Sequence, residues 1–389
     1  MGNLSFDYAT IKISDITVDT TPVPNHPHRK TVNHVVINDE MLLPSERFWH
    51  SLCSRFSEFG ITKNIYHLFD YDEIFDRLSQ RSPNDRVRIT IQRESGAHAP
   101  VLLAAVSPEK PQITYDGLMD LLIRFGGQHI TYSDGMLTSW HEPRIGGHRY
   151  SVECPHAGIR DEFENRFMLE VPIDSYGKPC VFPSVERVKD ATRWVTRNAT
   201  SLKNEISLGK GLDVVHHAVS RVLDSFNSDE GYATLRNRVE MSLRSWCSVY
   251  EANEAYKMIT RLMSNSLITG QNKETVQVGG GLIARFHKLT GDTSSIYGFA
   301  TLDTLAAKKQ RGLPVNCTVY DLLGFLAEVA TYDARIEGAK ALHGMIGMLM
   351  GDAAGYDLEG MRDKYPNFSD FRVHTSLRDV VEGRVSLTE

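Results

Sequence analysis

The stretch FENRFMLEVPIDSYGKPCVFPSVERVKDATRWVTRNATSLKNEISLGK, residues 163–210, decides the predicted fold because it joins a strand pattern to a basic segment. Apolar side chains alternate over residues 167–171, which is typical of a strand with one buried face. Residues 174–177 have turn chemistry, and the apolar run resumes at Val181. We therefore predict a β-hairpin that leads into the basic segment.

The basic segment carries cations at a regular interval. Lys189, Arg193 and Arg197 are four residues apart, so a helix would align them in one stripe. Residues 187–210 contain six Lys or Arg against two acids. A sheet beside such an element suits a phosphate backbone. The alternative is an ordinary surface helix whose cations are solvated.

An aromatic side chain lies within this segment. Trp194 stands between Arg193 and Arg197, and a base stacked on an indole gains about 1–3 kcal/mol without sequence preference. The alternative for Trp194 is core packing, since large aromatics are usually buried. The predicted nucleic-acid-binding residues are Arg187, Lys189, Arg193, Trp194, Arg197 and Lys203.

The composition is that of an ordinary globular protein. Of 389 residues, 41% are hydrophobic and 24% charged, and the net charge of −6 argues against a dedicated polycation that packages DNA. The five cysteines form no CxxC pair, which favours reduced thiols in the cytoplasm of a host cell. No run approaches the ~18 apolar residues of a membrane span, and the N-terminus lacks the pattern of a secretion signal. We expect no membrane partner.

Patterning along the chain predicts an α+β fold with four parts. Residues 1–40 are polar with a Pro/His-rich stretch and are interpreted as an N-terminal arm. Residues 41–210 form an α+β domain in which antiparallel β-hairpins alternate with helices. They include a helix in the sequence YDGLMDLLIRFGG that is ended by glycine, and a following hairpin with Asp134-Gly135 at its tip. Residues 211–350 are mainly α-helical, and residues 351–389 are an acidic tail.

Two helical patterns define the C-terminal half. Leu235, Val239 and Trp246 keep helical spacing. Thr318 followed by Asp321 is a capping-box pattern, which predicts the start of the last strong helix. The predicted apolar face of that helix contains Val319, Leu322, Leu323, Leu326 and Val329.

Catalytic motifs are sparse. His141, His148, Cys154 and His156 are the one local concentration of transition-metal ligands, but their spacing matches no familiar module. A histidine-bearing loop is the alternative, and we predict no metal and no cofactor. The chain has no GxSxG and no phosphate loop ending in GK[ST], so no enzymatic activity is indicated.

Three segments resemble a known family. RFMLEVPIDSYGKP, LDSFNSDEGYATLRNRVEMSLRSW and LPVNCTVYDLLGFLAEVAT look like the phage/plasmid-like proteins, a family of unknown function, over residues 44–360. This resemblance implies a mobile-element protein with a role in DNA replication, recombination or virion assembly. The order of elements in residues 115–198 is also similar to that of Rad52-like single-strand annealing proteins.

These observations lead to one functional expectation and two alternatives. We expect a homo-oligomeric mobile-element protein that binds single-stranded DNA or RNA in recombination or annealing, and we do not expect an enzyme. The first alternative is a structural protein of the phage particle, located in the virion. The second alternative is a metal-dependent nuclease that uses the histidine cluster.

Overall fold

The computed structural model has an α+β fold, as the sequence predicts. It describes residues 4–24, 26–55, 69–96, 99–112, 114–143, 149–154, 158–197, 204–205, 230–243, 245–268, 281–291 and 314–350. The predicted acidic tail therefore lies outside the described residues. None of the helices in these ranges combines the length and the hydropathy that a transmembrane span requires.

The chain divides into two compact units. The N-terminal unit contains residues 1–139, 170–179 and 205–222, and the C-terminal unit contains residues 140–169, 180–204 and 223–389. The boundaries differ from the predicted positions 40 and 210. The chain passes between the units more than once, so neither unit is one continuous segment.

A six-stranded sheet forms the centre of the N-terminal unit. Its strands are β1 Leu4–Lys12, β2 Ile16–Val23, β3 His26–Ile37, β4 Glu40–Pro44, β5 Arg86–Glu94 and β6 Val101–Val106. Their order across the sheet is β1-β5-β6-β4-β3-β2. Neighbouring strands are antiparallel except β4 and β6, which are parallel.

The prediction of an N-terminal arm is wrong, because β1 to β3 belong to this sheet. Ile11, Ile16, Val35 and Ile37 are buried in its core. Strands with one buried face alternate apolar and polar residues, so their average composition is polar even though they carry core side chains. The Pro/His-rich stretch falls around the connection between β2 and β3.

The described part of the N-terminal unit also contains three α-helices: α1 Glu46–Arg55, α2 Tyr71–Arg81 and α3 Tyr115–Arg124. Phe48 of α1 and Leu78 of α2 are fully buried in the core beneath the sheet. The predicted glycine stop of α3 is confirmed. Gly126 has a φ of +72°, and the Gly127 amide donates to the Leu122 carbonyl at 2.8 Å.

The predicted hairpin before residue 142 is also confirmed. Strand β7 spans Gln128–Ser133 and strand β8 spans Met136–His141. Asp134 and Gly135 join them with φ values of +45° and +73°. Two central residues with positive φ give the turn a twist that matches the twist of the strands.

Two arginines hold the predicted turn at residues 174–177. Arg47 donates from Nε and Nη2 to the two carboxylate oxygens of Asp174, and its Nη2 also reaches the Tyr176 carbonyl at 2.6 Å. Arg88 donates to the Ser175 hydroxyl at 2.9 Å. Ser175 has a φ of +61°, so these bonds fix a backbone conformation that is unfavourable for serine.

The C-terminal unit combines strands with helices. Its strands are β9 Arg149–Cys154, β10 Ile159–Pro172, β11 Cys180–Arg187, β12 Thr192–Val195, β13 Asn204–Glu205, β14 Trp246–Ser248 and β15 Pro314–Thr318. Its helices are α4 Glu230–Leu243, α5 Val249–Ser264, α6 Leu282–Thr290, α7 Val319–Glu328 and α8 Ile336–Met350. β11 lies between β10 and β12, and β14 pairs with β15. The last residues of β10 and Glu205 of β13 belong to the N-terminal unit.

The prediction of helical spacing for Leu235, Val239 and Trp246 is wrong for Trp246. It lies on the short strand β14, between α4 and α5. Ser248 then begins α5 with a capping box, in which its hydroxyl accepts from the Glu251 amide. A serine with an acid three residues later offers the chain a new helix start, which the apolar spacing alone does not reveal.

Helix α7 begins where the sequence predicts. The Thr318 hydroxyl accepts from the Asp321 amide at 3.2 Å, and the Thr318 amide donates to the Asp321 carboxylate at 2.9 Å. The predicted apolar face is buried over its whole length: Val319, Leu322, Leu323, Leu326 and Val329. One π-helical turn, Val329–Asp333, follows α7.

Candidate functional site

A charged cleft in the C-terminal unit is the candidate functional site. Its volume is about 530 Å³, within the usual range for ligand pockets. One wall, here called the strand wall, consists of Gly158, Arg160, Asp161, Arg187 and Lys189. The other, here called the helix wall, consists of Tyr320, Asp321, Gly324, Phe325 and Glu328 of α7, and Leu289 of α6 also lines the cleft.

The helix wall follows from the geometry of α7. Its five lining residues occur at intervals of one, three, one and three residues, which places them on one side of an α-helix. Gly324 leaves a gap in this side. A Cβ atom there would lie 3.1 Å from Nη1 of Arg187, so the absence of a side chain lets the arginine approach the helix.

A buried carboxylate organises the strand wall. Asp161 is 4% exposed, and its Oδ1 lies 2.8 Å from Nζ of Lys189. Its Oδ2 accepts a hydrogen bond from the Tyr320 hydroxyl and lies 3.8 Å from Nη1 of Arg187. Burial raises the pKa of Tyr320, so its phenol stays protonated and acts as a donor. Lys189, Arg187 and the Tyr320 hydroxyl thus compensate the negative charge of Asp161, as a buried charge requires.

The two exposed cations lie on the strand wall. The side chain of Arg160 is 76% exposed and lies 3.2 Å from Glu153. The side chain of Lys189 is 57% exposed. Arg187 is more deeply placed, and its Nε donates to Asp190 at 3.0 Å. Arg160 and Lys189 are therefore the members of the strand wall that solvent reaches most easily.

The predicted helical stripe of Lys189, Arg193 and Arg197 is wrong. Arg187 ends β11, Lys189 lies in the following turn, and Arg193 lies on β12. Ala191 has a φ of +51°, which closes the turn between the two strands. The interval of four residues between Lys189 and Arg193 reflects this turn and has no helical origin.

Trp194 is fully buried, which confirms the core-packing interpretation. Its ring lies 5.2 Å from Phe163 and 5.1 Å from Tyr320. The guanidinium of Arg187 lies 5.8 Å from the indole ring. Trp194 therefore supports the base of the cleft, and in this structure it presents no ring surface on which a nucleobase can stack.

The remaining predicted nucleic-acid residues are dispersed. Arg193 lies on β12 with its guanidinium 5.5 Å from the Trp140 ring and 3.9 Å from Glu186. Arg197 is half-buried in the segment after β12. Lys203 lies outside the described residues. Of the six predicted residues, the structure places only Arg187 and Lys189 on the cleft.

The candidate metal ligands are only partly described. His141 is buried on β8, and its ring stacks on Phe167 with centroids 5.0 Å apart. His148, His156 and the side chain of Cys154 lie outside the described residues. Among the residues that are described, no three or more His, Cys, Asp or Glu side chains converge as a metal site requires.

Arg160, Asp161, Tyr320 and Glu328 were not predicted as site residues. The sequence contains a signal for Asp161. It is separated from the buried Phe163 and Phe167 by even numbers of residues, so in a strand its side chain lies on the same buried face. An acid on the buried face of a strand needs a partner. Tyr320 and Glu328 have no comparable local signal, since their place at the cleft depends on how α7 packs.

Arg193 and Arg197 also affect a histidine of α8. Burial of His343, together with the charges of Arg197 and Arg193, lowers its pKa to about 3. Its Nε2 atom is inaccessible to solvent. Because the unfolded histidine titrates near pH 6.5, the unfolded chain takes up a proton first as the pH falls.

We therefore expect His343 to destabilise the protein progressively between about pH 6.5 and pH 3. At pH 5 the expected cost is about 2 kcal/mol relative to pH 7. His343→Gln has no ionisable ring, so its free energy of unfolding should fall less over this interval. Urea unfolding of both proteins at pH 7 and pH 5 measures the difference. An identical pH dependence in the two proteins contradicts the prediction.

No family model, curated protein or solved structure matches the chain.

Proposed function

We propose that the C-terminal unit binds single-stranded nucleic acid at the cleft, as part of a phage or plasmid protein. The observation that carries this proposal is that Arg160 of β10 and Lys189 of the turn after β11 converge on one cleft with exposed side chains. A phosphate backbone is recognised largely by such cations.

The carboxylates near these cations do not prevent phosphate binding. Lys189 has three donors and Arg160 has five, so one ion pair leaves donors for a phosphate. The pair between Arg160 and Glu153 is exposed on both sides, at 76% and 52%. Such a surface pair contributes about 0–1 kcal/mol, so a phosphate can replace it at little cost.

The cleft also explains why binding need not depend on an excess of positive charge over the whole chain. The net charge is −6 and the cleft lining as a whole has three cations and three carboxylates, but the strand wall groups its three cations around one carboxylate. Local charge governs the encounter with a polyanion within about 8–10 Å at physiological salt. We expect the affinity to be strongly salt-dependent.

The test is the double variant Arg160→Gln and Lys189→Gln. It should reduce the slope of log affinity against log salt by about 1.4, since each phosphate contact to a single strand contributes about 0.7. Fluorescence anisotropy with a labelled mixed-sequence DNA strand at several salt concentrations measures this slope.

A matched control removes the same number of positive charges at positions outside the cleft. Arg77→Gln with Lys257→Gln removes two exposed cations that are paired with Glu73 and Glu254. This control should bind as the wild type does. A folded Arg160/Lys189 variant with the affinity and slope of the wild type would refute the proposed interface.

A further inference from the structure

The two walls of the cleft differ in the charge of their side chains. The strand wall has Arg160, Arg187 and Lys189 grouped around Asp161, whereas the charged lining residues that the structure describes on the helix wall are Asp321 and Glu328. We infer that the cleft receives one nucleotide with its phosphate on the strand wall and its base on the helix wall, and that it prefers guanine to thymine. This inference rests on the proposed function and specifies its ligand.

An ionised carboxylate accepts hydrogen bonds and donates none. One oxygen of Asp321 already accepts the Thr318 amide and hydroxyl at the start of α7, so this side chain has a structural task. Glu328 lies seven residues further along the same side of α7, and its side chain is 42% exposed. Glu328 is therefore the helix-wall carboxylate best placed to meet a ligand.

The partner of Glu328 does not exclude a ligand. Arg285 of α6 donates to Oε1 of Glu328, and the two side chains are 40% and 42% exposed. Nη1 of Arg285 also lies 3.8 Å from Asp333. A carboxylate has about four lone-pair positions, so Glu328 can retain Arg285 and accept further hydrogen bonds.

The base preference follows from the Watson–Crick edges. Guanine presents two adjacent donors, N1–H and the 2-amino group, which match the two oxygens of one carboxylate. Adenine and cytosine present a single amino group beside a ring acceptor. Thymine presents one N–H between two carbonyl oxygens, and these repel a carboxylate.

The test compares two labelled oligothymidylates, one of which has a single central guanine. The wild type should bind the guanine strand about 5- to 150-fold more tightly, the range for one bidentate base contact. Inosine in place of guanine lacks the 2-amino group and should lose most of this preference. Glu328→Gln introduces an amide donor and should reduce the preference to less than about twofold.

Arg285→Gln is the matched control for the Glu328 variant. It breaks the same ion pair and keeps the carboxylate, so it should retain the guanine preference. If the wild type binds the two strands with equal affinity, the base preference is overturned. The proposed function still stands in that case if the Arg160/Lys189 double variant binds both strands more weakly than the wild type does. Failure to bind either strand at low salt overturns the proposed function as well.

Discussion

Replacing Arg47 by alanine is expected to lower the free energy of unfolding by about 3–5 kcal/mol. The reason is that Asp174 has no exposed side-chain surface and its two oxygens accept from Arg47. Removing the arginine leaves a buried carboxylate without this partner, and breaking such a pair costs about 3–5 kcal/mol. The same change removes the hydrogen bond to the Tyr176 carbonyl. Urea unfolding at neutral pH measures the loss.

Two further variants distinguish the effect of breaking the buried Arg47–Asp174 pair from the effect of losing one positive charge. Arg93→Ala removes an arginine that is 38% exposed and paired with Asp7 and Glu40, and it should cost no more than about 1 kcal/mol. Adding Asp174→Asn to Arg47→Ala neutralises the stranded carboxylate and should recover part of the stability. If Arg47→Ala costs no more than Arg93→Ala, the Arg47–Asp174 pair does not hold the turn.

Replacing Leu323 by aspartate is expected to destabilise the C-terminal unit by about 4 kcal/mol or more. Leu323 is fully buried on the apolar face of α7. The substitution loses the transfer free energy of a leucine and places a carboxylate on a buried apolar face. Because a whole domain is stable by about 5–15 kcal/mol, we expect aggregation or loss of cooperative unfolding.

Met348→Asp is the control for this substitution. Met348 lies on α8 and is 49% exposed, so an acid at this position remains solvated. Its expected cost is within about 1 kcal/mol, as for most surface changes. Thermal unfolding of the two variants gives the comparison. A Leu323→Asp protein that melts with the wild type would show that α7 is peripheral to the unit.

Local signals predicted much of the fold. The capping box at Thr318, the glycine stop at Gly126 and the turn at Asp134 each depend on a few adjacent residues, and each is present in the structure. Such signals act within one helical turn or one hairpin. They can therefore be recognised without knowledge of tertiary contacts.

The cleft could be predicted only in part, because it depends on residues distant in the chain. Asp161 and Tyr320 form one hydrogen bond across 159 positions. The basic segment around Lys189 was recognised from its charge, but its helical interpretation failed because four-residue spacing also occurs across a turn. Trp194 shows the same limit, since its burial follows from Phe163 and Tyr320 rather than from its neighbours in sequence.

The Arg47–Asp174 pair has a consequence for the order in which the protein acquires its structure on the ribosome. The apolar cluster of the N-terminal unit contains residues from Ile11 to Ala105 and can begin to assemble early. Asp174 is 127 positions after Arg47, a delay of about 6–25 s at a translation rate of about 5–20 residues per second. During that interval the nascent chain holds an arginine whose carboxylate has not yet been synthesised. The turn at residues 174–177 therefore forms its contacts late. Pausing of translation before this turn would lengthen the time during which the N-terminal unit is incomplete.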